Sequence, residues 1–189
     1  MVDPTQIGPY PVSRALGAGA MGSVYLGQHP RLGIPVAIKL LNRRQPEAVV
    51  RFRREAELMA RIKDPRVVRV FEAGLCEHGP FLVLEYCPGK DLRALLKEQG
   101  AFPPREAAAL VAEIARGVAA AHQAGVIHRD LKPANVLVVA GGRPRVTDFG
   151  VARPVTRVEL QSLTQSGAVL GSPAYMAPEQ VTDAREVDA

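Results

Sequence analysis

The stretch His128-Arg129-Asp130-Leu131-Lys132-Pro133-Ala134-Asn135 decides how this chain is to be read. Within it stand a carboxylate, an ammonium and a primary amide. A carboxylate can orient an attacking hydroxyl, an ammonium can sit against phosphate oxygens, and an amide oxygen is a hard ligand suited to Mg2+. An Asp and an Asn five positions apart, with a Lys between them, is therefore an arrangement that phosphoryl transfer can use. A plainer reading stands beside it. Pro133 fixes a bend, and Asp130 and Asn135 cap a turn. Taken alone, so short a match favours the turn; the surrounding chain has to decide.

Working outward, Asp148-Phe149-Gly150 follows Asn135 by 13 residues. Between them, Val136 to Val139 and Arg145 to Thr147 read as a hairpin turning through Gly141-Gly142. Upstream, Pro103 to Ala124 reads as a helix. Its apolar Ala107, Leu110, Val111, Ile114, Val118 and Ala121 recur at steps of three and four, and Gly125 is placed to end it. Asp91 to Glu98 reads as a shorter helix with Asp91 as N-cap. Cys87-Pro88-Gly89 interrupts the pattern and reads as a hinge. Before it the period changes. Strands are expected at 12–18, 23–28, 34–41, 67–73 and 81–86. A helix is expected at 46–62, with Val49, Phe52, Ala56 and Met59 on one face. The expectation is an α+β chain: a five-stranded antiparallel lobe with one helix, then a mainly helical lobe, with a ligand cleft between.

Further motifs line that cleft. Gly17-x-Gly19-x-x-Gly22-x-Val24 lets backbone amides approach phosphates. The same glycine spacing occurs in dinucleotide-binding folds, but there a helix follows at once and an acid stands about 20 residues on. Here Ser23-Val24-Tyr25-Leu26 reads as a strand, Lys39 occupies the acid's place, and no Gly-Lys-Ser/Thr follows. Val36-Ala37-Ile38-Lys39 ends on a lysine, and Glu55 lies on the next helix. Singly, these are a solvated strand lysine and a charge on a wet helix face. Glu85-Tyr86-Cys87 alone is a strand end before a Pro-Gly turn, with Cys87 a packing residue. Gly171-Ser172-Pro173-Ala174-Tyr175-Met176-Ala177-Pro178-Glu179 closes the set.

In this order, from Tyr10 to Glu179, the motifs resemble the catalytic domain of bacterial eukaryotic-like (Hanks-type) serine/threonine protein kinases. The resemblance implies a two-lobed kinase fold. The lobes would be 10–86 and 87–189, and the activation segment 148–179. It implies transfer of the ATP γ-phosphoryl group to protein Ser or Thr hydroxyls. In that reading Asp130 orients the hydroxyl, Lys132 stabilises the moving phosphoryl, and Asn135 and Asp148 hold Mg2+, with Mn2+ the alternative metal. Lys39, paired with Glu55, holds the ATP phosphates, and Gly17, Gly19 and Gly22 cover them. Leu16, Val24, Ala37 and Leu137 enclose the adenine. Glu85 and Cys87 read its edge through their backbone, and Leu84 stands behind. The loop tip, Ala20-Met21, departs from the aromatic or further glycine common in the family. Ser172 stands where Thr is more usual. Arg129 suggests a switch in which a phosphorylated loop residue orders the segment. Thr164, with Ser166 second, is the expected autophosphorylation site, which implies self-association in trans.

Composition bounds the alternatives. The chain has 189 residues, 47% hydrophobic and 23% charged, and a net charge of +5. Its basic residues are scattered, apart from a modest cluster from Arg43 to Arg61, and only 5% of residues are aromatic. Both facts argue against nucleic acid as a partner. Cys76 and Cys87 form no C-x-x-C pair and suit buried thiols in a reducing compartment. Residues 1–10 lack the apolar core of a signal peptide, and no run approaches membrane-spanning length. A cytoplasmic location is expected, with any membrane anchor of a longer parent beyond Ala189. The family fold continues past this point. The expectation is thus a helical lobe truncated at its C-terminal end, with apolar helix surface exposed. An inactive nucleotide-binding or scaffolding fragment is the alternative function.

Overall fold

Antiparallel strands whose side chains point alternately to two faces build the first half of the molecule. In the computed structural model, which describes residues 3–19, 22–42, 46–149 and 175–176, β1 (Gln6–Ile7), β2 (Tyr10–Gly19), β3 (Gly22–Gln28) and β4 (Pro35–Leu41) are followed by α1 (Pro46–Met59). Next come β5 (Val70–Cys76) and β6 (Gly79–Glu85). The sheet has six strands in the order β1-β2-β3-β4-β6-β5, and every neighbour is antiparallel. One face presents Tyr10, Tyr25, Val36, Ile38, Phe81 and Val83, which pack with Ile7 into one buried cluster. The other face presents Val24, Leu26, Ala37, Lys39, Leu82 and Leu84, which the register places side by side. Period-two alternation therefore assigns one face to packing and the other to the cleft.

After β6 the chain forms β7 (Gly89–Asp91), α2 (Leu92–Gln99) and α3 (Pro104–Gln123). A 3-10 turn at Pro133–Asn135 leads into β8 (Val136–Val139) and β9 (Arg143–Val146). The strands pair as a second sheet, β7-β8-β9. Asp91 caps α2 by accepting from the Ala94 N–H at 2.9 Å. Gly125, at φ +75°, ends α3. Its N–H bonds to the His122 carbonyl and that of Val126 to the Ala121 carbonyl, both at 2.9 Å, closing the helix in a Schellman turn. This sharp exit starts the run that leads to Asp130 and Asn135.

The architecture is the expected one, with local differences. A two-residue strand, β1, adds a sixth strand to the expected five. The Gly8-Pro9 turn folds it back so that Ile7 pairs with Tyr10, and both are buried. The helix expected to reach Ile62 ends at Met59, because Arg61 and Ile62 donate only three residues back, to Leu58 and Met59. The strand expected from Val67 starts at Val70, because Val67 and Val68 join β9 instead. The Val68 N–H donates to the Val146 carbonyl at 2.9 Å, and that of Val146 to the Arg66 carbonyl at 2.7 Å. This detour ties the two lobes together. A single buried cluster runs from Phe52, Met59, Leu82 and Leu84 through to Ile114, Val136, Val146 and Phe149.

Candidate active site

His128 organises the loop, although its chemistry alone did not single it out. Its Nε2–H donates to the Thr147 carbonyl at 2.9 Å, and its Nδ1 accepts the Asp130 N–H at 3.2 Å. One neutral tautomer serves both bonds. Burial pushes the imidazole below its ordinary pKa of 6.5 and keeps it neutral. Its ring packs against Phe149, with centroids 4.6 Å apart. A residue from the loop that carries Asp130 is thus fastened to the strand exit that bears Asp148.

Asp130, Lys132 and Asn135 are brought together. The Lys132 ammonium lies 3.0 Å from Asp130 Oδ2. Asn135 donates through Nδ2 to the Asp130 carbonyl at 2.8 Å and to its Oδ2 at 3.3 Å. Both partners are acceptors, so the amide must offer its NH2 to them, and its Oδ1 is left for a ligand. The Asn135 carbonyl accepts the Thr147 N–H at 2.9 Å, which puts Asn135 beside the residue preceding Asp148. Arg129 and Asp148 take left-handed backbone, at φ 59° and 61°, a conformation non-glycine residues adopt at a cost.

The cleft face of the sheet stands opposite. Lys39 is buried, and its ammonium lies 2.7 Å from Asp148 Oδ1. Lys39 thus forms an ion pair with Asp148, and Glu55 sits half-buried on α1. Val24 pairs with Lys39 and Gly17 with Val24, so the glycine hairpin overhangs the same face. Gly22 is dictated by the fold: at φ +146°, an added Cβ would lie 2.0 Å from the Leu40 carbonyl oxygen. At Gly17 and Gly19 an added Cβ would meet nothing within 4 Å among the described residues. The protein's own packing thus leaves space there, as a hairpin that admits a ligand against its backbone should. Leu16 is partly exposed at the lip.

At the hinge, Leu84 opposes Ala37 in register, Glu85 ends β6, and Cys87 is buried. Burial pushes the Cys87 thiol up, with the Glu85 carboxylate adding to the effect. Leu137 lies on β8 and packs against the shared core. Cys76, half-buried, donates to the Gly79 carbonyl at 3.4 Å, and both cysteines are free thiols. Arg145, which no sequence motif marks, donates through its guanidinium to Glu85 Oε1 and to the Pro65 carbonyl. An arginine inside a four-residue strand was its one signal. Arg66 is likewise unmarked; its guanidinium lies 2.6 Å from Glu113 and holds that carboxyl below the usual range. Ala20, Met21, Gly150, Thr164, Ser166, Ser172 and Glu179 lie outside the described residues.

The donor set suits a hard divalent cation shared with a ligand. Asn135 Oδ1 and the Asp148 carboxylate are oxygen donors, and the Asp148 side chain is 38% exposed. Among the described residues no group of three or more His, Cys, Asp or Glu could hold a metal unaided. An ion here would complete its shell with phosphate oxygens and water, as Mg2+ commonly does.

A glycine hairpin and a buried lysine stand on one side of a cleft between two lobes, and a loop of Asp, Lys and Asn stands on the other. The chain belongs to the protein kinase domain family, whose model matches residues 10–189. It is 42% identical over 184 residues to the serine/threonine-protein kinase pkn2 of Myxococcus xanthus, covering 94% of this chain and 22% of that protein. It is 40% identical over 177 residues to the serine/threonine-protein kinase PknL of Mycobacterium tuberculosis, covering 92% and 44%. The chain thus spans less than half the length of these relatives. The crystal structure of a double mutant of the Mycobacterium tuberculosis PknI kinase domain superposes with a TM-score of 0.76 at 32% identity. That match covers 95% of this chain and 68% of the other. The architecture is accordingly a protein kinase fold, and use of ATP with a divalent cation is general to this family.

Proposed function

We propose that this chain carries the catalytic site of a serine/threonine protein kinase, transferring the γ-phosphoryl group of ATP to protein hydroxyls. The observation that carries the reading is the contact of Asp130 with both Lys132 and Asn135, on a loop hydrogen-bonded to the segment bearing Asp148. Asp130 accepts the substrate hydroxyl's hydrogen bond, aims its oxygen at the phosphorus, and takes its proton as the new O–P bond forms and the bond from the γ-phosphorus to the bridging oxygen of ADP breaks, ADP leaving with that oxygen. The Lys132 ammonium, now on Asp130 Oδ2, is placed to neutralise charge on the transferred group. Lys39 holds ATP through its phosphates, and Gly17 to Gly22 cover them. Asn135 and Asp148 would hold Mg2+, which would offset charge between the phosphates when bound. On nucleotide entry Lys39, now on Asp148, would contact an ATP phosphate, with Glu55 keeping the lysine in place.

The adenine lies, in this reading, between Val24 and Ala37 above and Leu137 below, with Leu16 at the lip and Glu85 and Cys87 along its edge. The lobes are assigned as 10–86 and 87–189. Thr164, then Ser166, is the proposed site of autophosphorylation in trans, read by Arg129. Among the described residues no helix is long and apolar enough to cross a membrane.

Intact mass after incubation with Mg-ATP tests the reading. The chain should gain about 80 Da per phosphate, the mass change expected of the covalent modification, and Asp130→Asn should gain none. Equal gain by both would refute the assigned role of Asp130. Mg-ADP binding with no gain in either would favour a nucleotide-binding scaffold. Peptide mapping that found phosphate only outside 156–166 would remove the Thr164 assignment.

A further inference from the structure

Behind the hinge, the end of β6, the Pro65–Arg69 linker and β9 meet at one point, and Arg145 occupies it. Its guanidinium donates to Glu85 Oε1 and to the Pro65 carbonyl. Glu85 is drawn from a second side: its N–H donates to the Arg69 carbonyl at 2.9 Å, and its Oε2 lies 3.5 Å from the Arg69 N–H. The Arg145 side chain is only 18% exposed, so the pair is sheltered from the screening that weakens surface ion pairs.

Two features connect this node to the cleft. Leu137 and Arg145 are register partners on β8 and β9, so their side chains stand on the same face of the hairpin. The face that offers Leu137 as floor is therefore the face Arg145 fastens to Glu85. Arg145 also lies three residues before Asp148, and the backbone between is bonded on both sides. The Val146 N–H goes to the Arg66 carbonyl at 2.7 Å, and the Thr147 N–H to the Asn135 carbonyl at 2.9 Å. Little slack separates the guanidinium from the carboxylate.

We propose that Arg145 is a positioning residue for nucleotide binding. It sets the distance between hinge and floor, and it aims Asp148 by clamping β9 to Glu85 and Pro65. It touches neither nucleotide nor metal. A planar fork can serve a carboxylate and a carbonyl together, whereas a lysine can fasten the carboxylate but holds the second acceptor less well. This inference rests on the nucleotide-binding reading of the cleft.

Calorimetric titration with Mg-ADP, beside thermal unfolding, tests it on this chain. Arg145→Ala should weaken Mg-ADP binding about tenfold, the scale of losing one charged hydrogen-bonding partner. Arg145→Lys should recover most of that loss. Glu85→Gln should weaken binding, and the Glu85→Gln/Arg145→Ala double variant should be no worse than Arg145→Ala alone, since both remove one link. If Arg145→Ala is too unstable to titrate, the Lys and Gln variants carry the test. Unchanged or tighter Mg-ADP affinity in folded Arg145→Ala, or in both milder variants, overturns the proposal. So does a purely additive cycle, which would make Arg145 a stabilising residue only. A wild-type chain that fails to bind Mg-ADP would instead overturn the nucleotide-binding reading, and this inference with it.

Discussion

At the scale of single residues, the loop depends on donors and acceptors being matched. Asn135 Nδ2 faces two oxygens of Asp130, so Asn135→Asp would keep an oxygen for the metal while setting a carboxylate against a carboxylate. Urea unfolding should show a loss of about 1–3 kcal/mol, the scale of a buried acceptor left unsatisfied. Undiminished stability would mean the amide orientation is wrong. His128 makes a second case. Its folded-state pKa lies below the ordinary 6.5, so the unfolded chain takes up its proton first as the pH falls. The stability His128 contributes is therefore complete above pH 6.5 and drains away as the pH drops from there through the lowered folded pKa. Thermal midpoints measured between pH 7 and about 5, a window spanning the His transition, should fall more steeply for wild type than for His128→Gln. Parallel curves would show that the ring titrates freely in the folded protein.

Among elements, the glycine hairpin separates what the fold demands from what a ligand demands. Gly22 has both a positive φ and no room, so Gly22→Ala should destabilise by more than about 1 kcal/mol in denaturant titration, as an incompatible backbone substitution does. Gly17→Ala and Gly19→Ala meet nothing within 4 Å among the described residues and should melt with wild type, while Mg-ATP binding weakens. Should these two bind Mg-ATP normally, the hairpin would not be the phosphate cover. Elements of this kind were legible wherever a local rule acts alone: Asp91 as cap, Gly125 as helix end, and the β8–β9 hairpin on its two glycines. What was not legible depends on distant partners. Val67 and Val68 look like the start of β5, yet they are claimed by β9, from residues about 80 positions later. β1 is too short to show any period. The site was legible as a set of residue types, but its pairing was not. Lys39 could be placed in the cleft from sequence, whereas its ion pair with Asp148, 109 positions later, depends on where β4 and the exit of β9 come to rest.

On the scale of the whole molecule, the lobes are not independent bodies. The larger buried cluster contains residues of α1, β5 and β6 together with residues of α3, β8 and β9. Val146 sits at the join, fully buried, bonded through its N–H to Arg66 and through its carbonyl to Val68. Such a shared core should melt as one unit, and a ligand held by both lobes should raise that one transition. At a hundredfold excess over Kd, Mg-ADP would add about 2.7 kcal/mol. The core's position also lets stability and binding be separated. Val146→Ala and Ile7→Ala both empty fully buried sites, and each should cost about 2 kcal/mol or more. Ile7 lies in the smaller cluster, on the sheet face turned away from the cleft. Val146 precedes Asp148 by two residues and anchors the strand that carries it. Calorimetry should therefore find Mg-ADP affinity reduced in Val146→Ala and preserved in Ile7→Ala, each measured well below its midpoint. Equal affinities would mean that the shared core holds the lobes together without setting the geometry of the cleft between them.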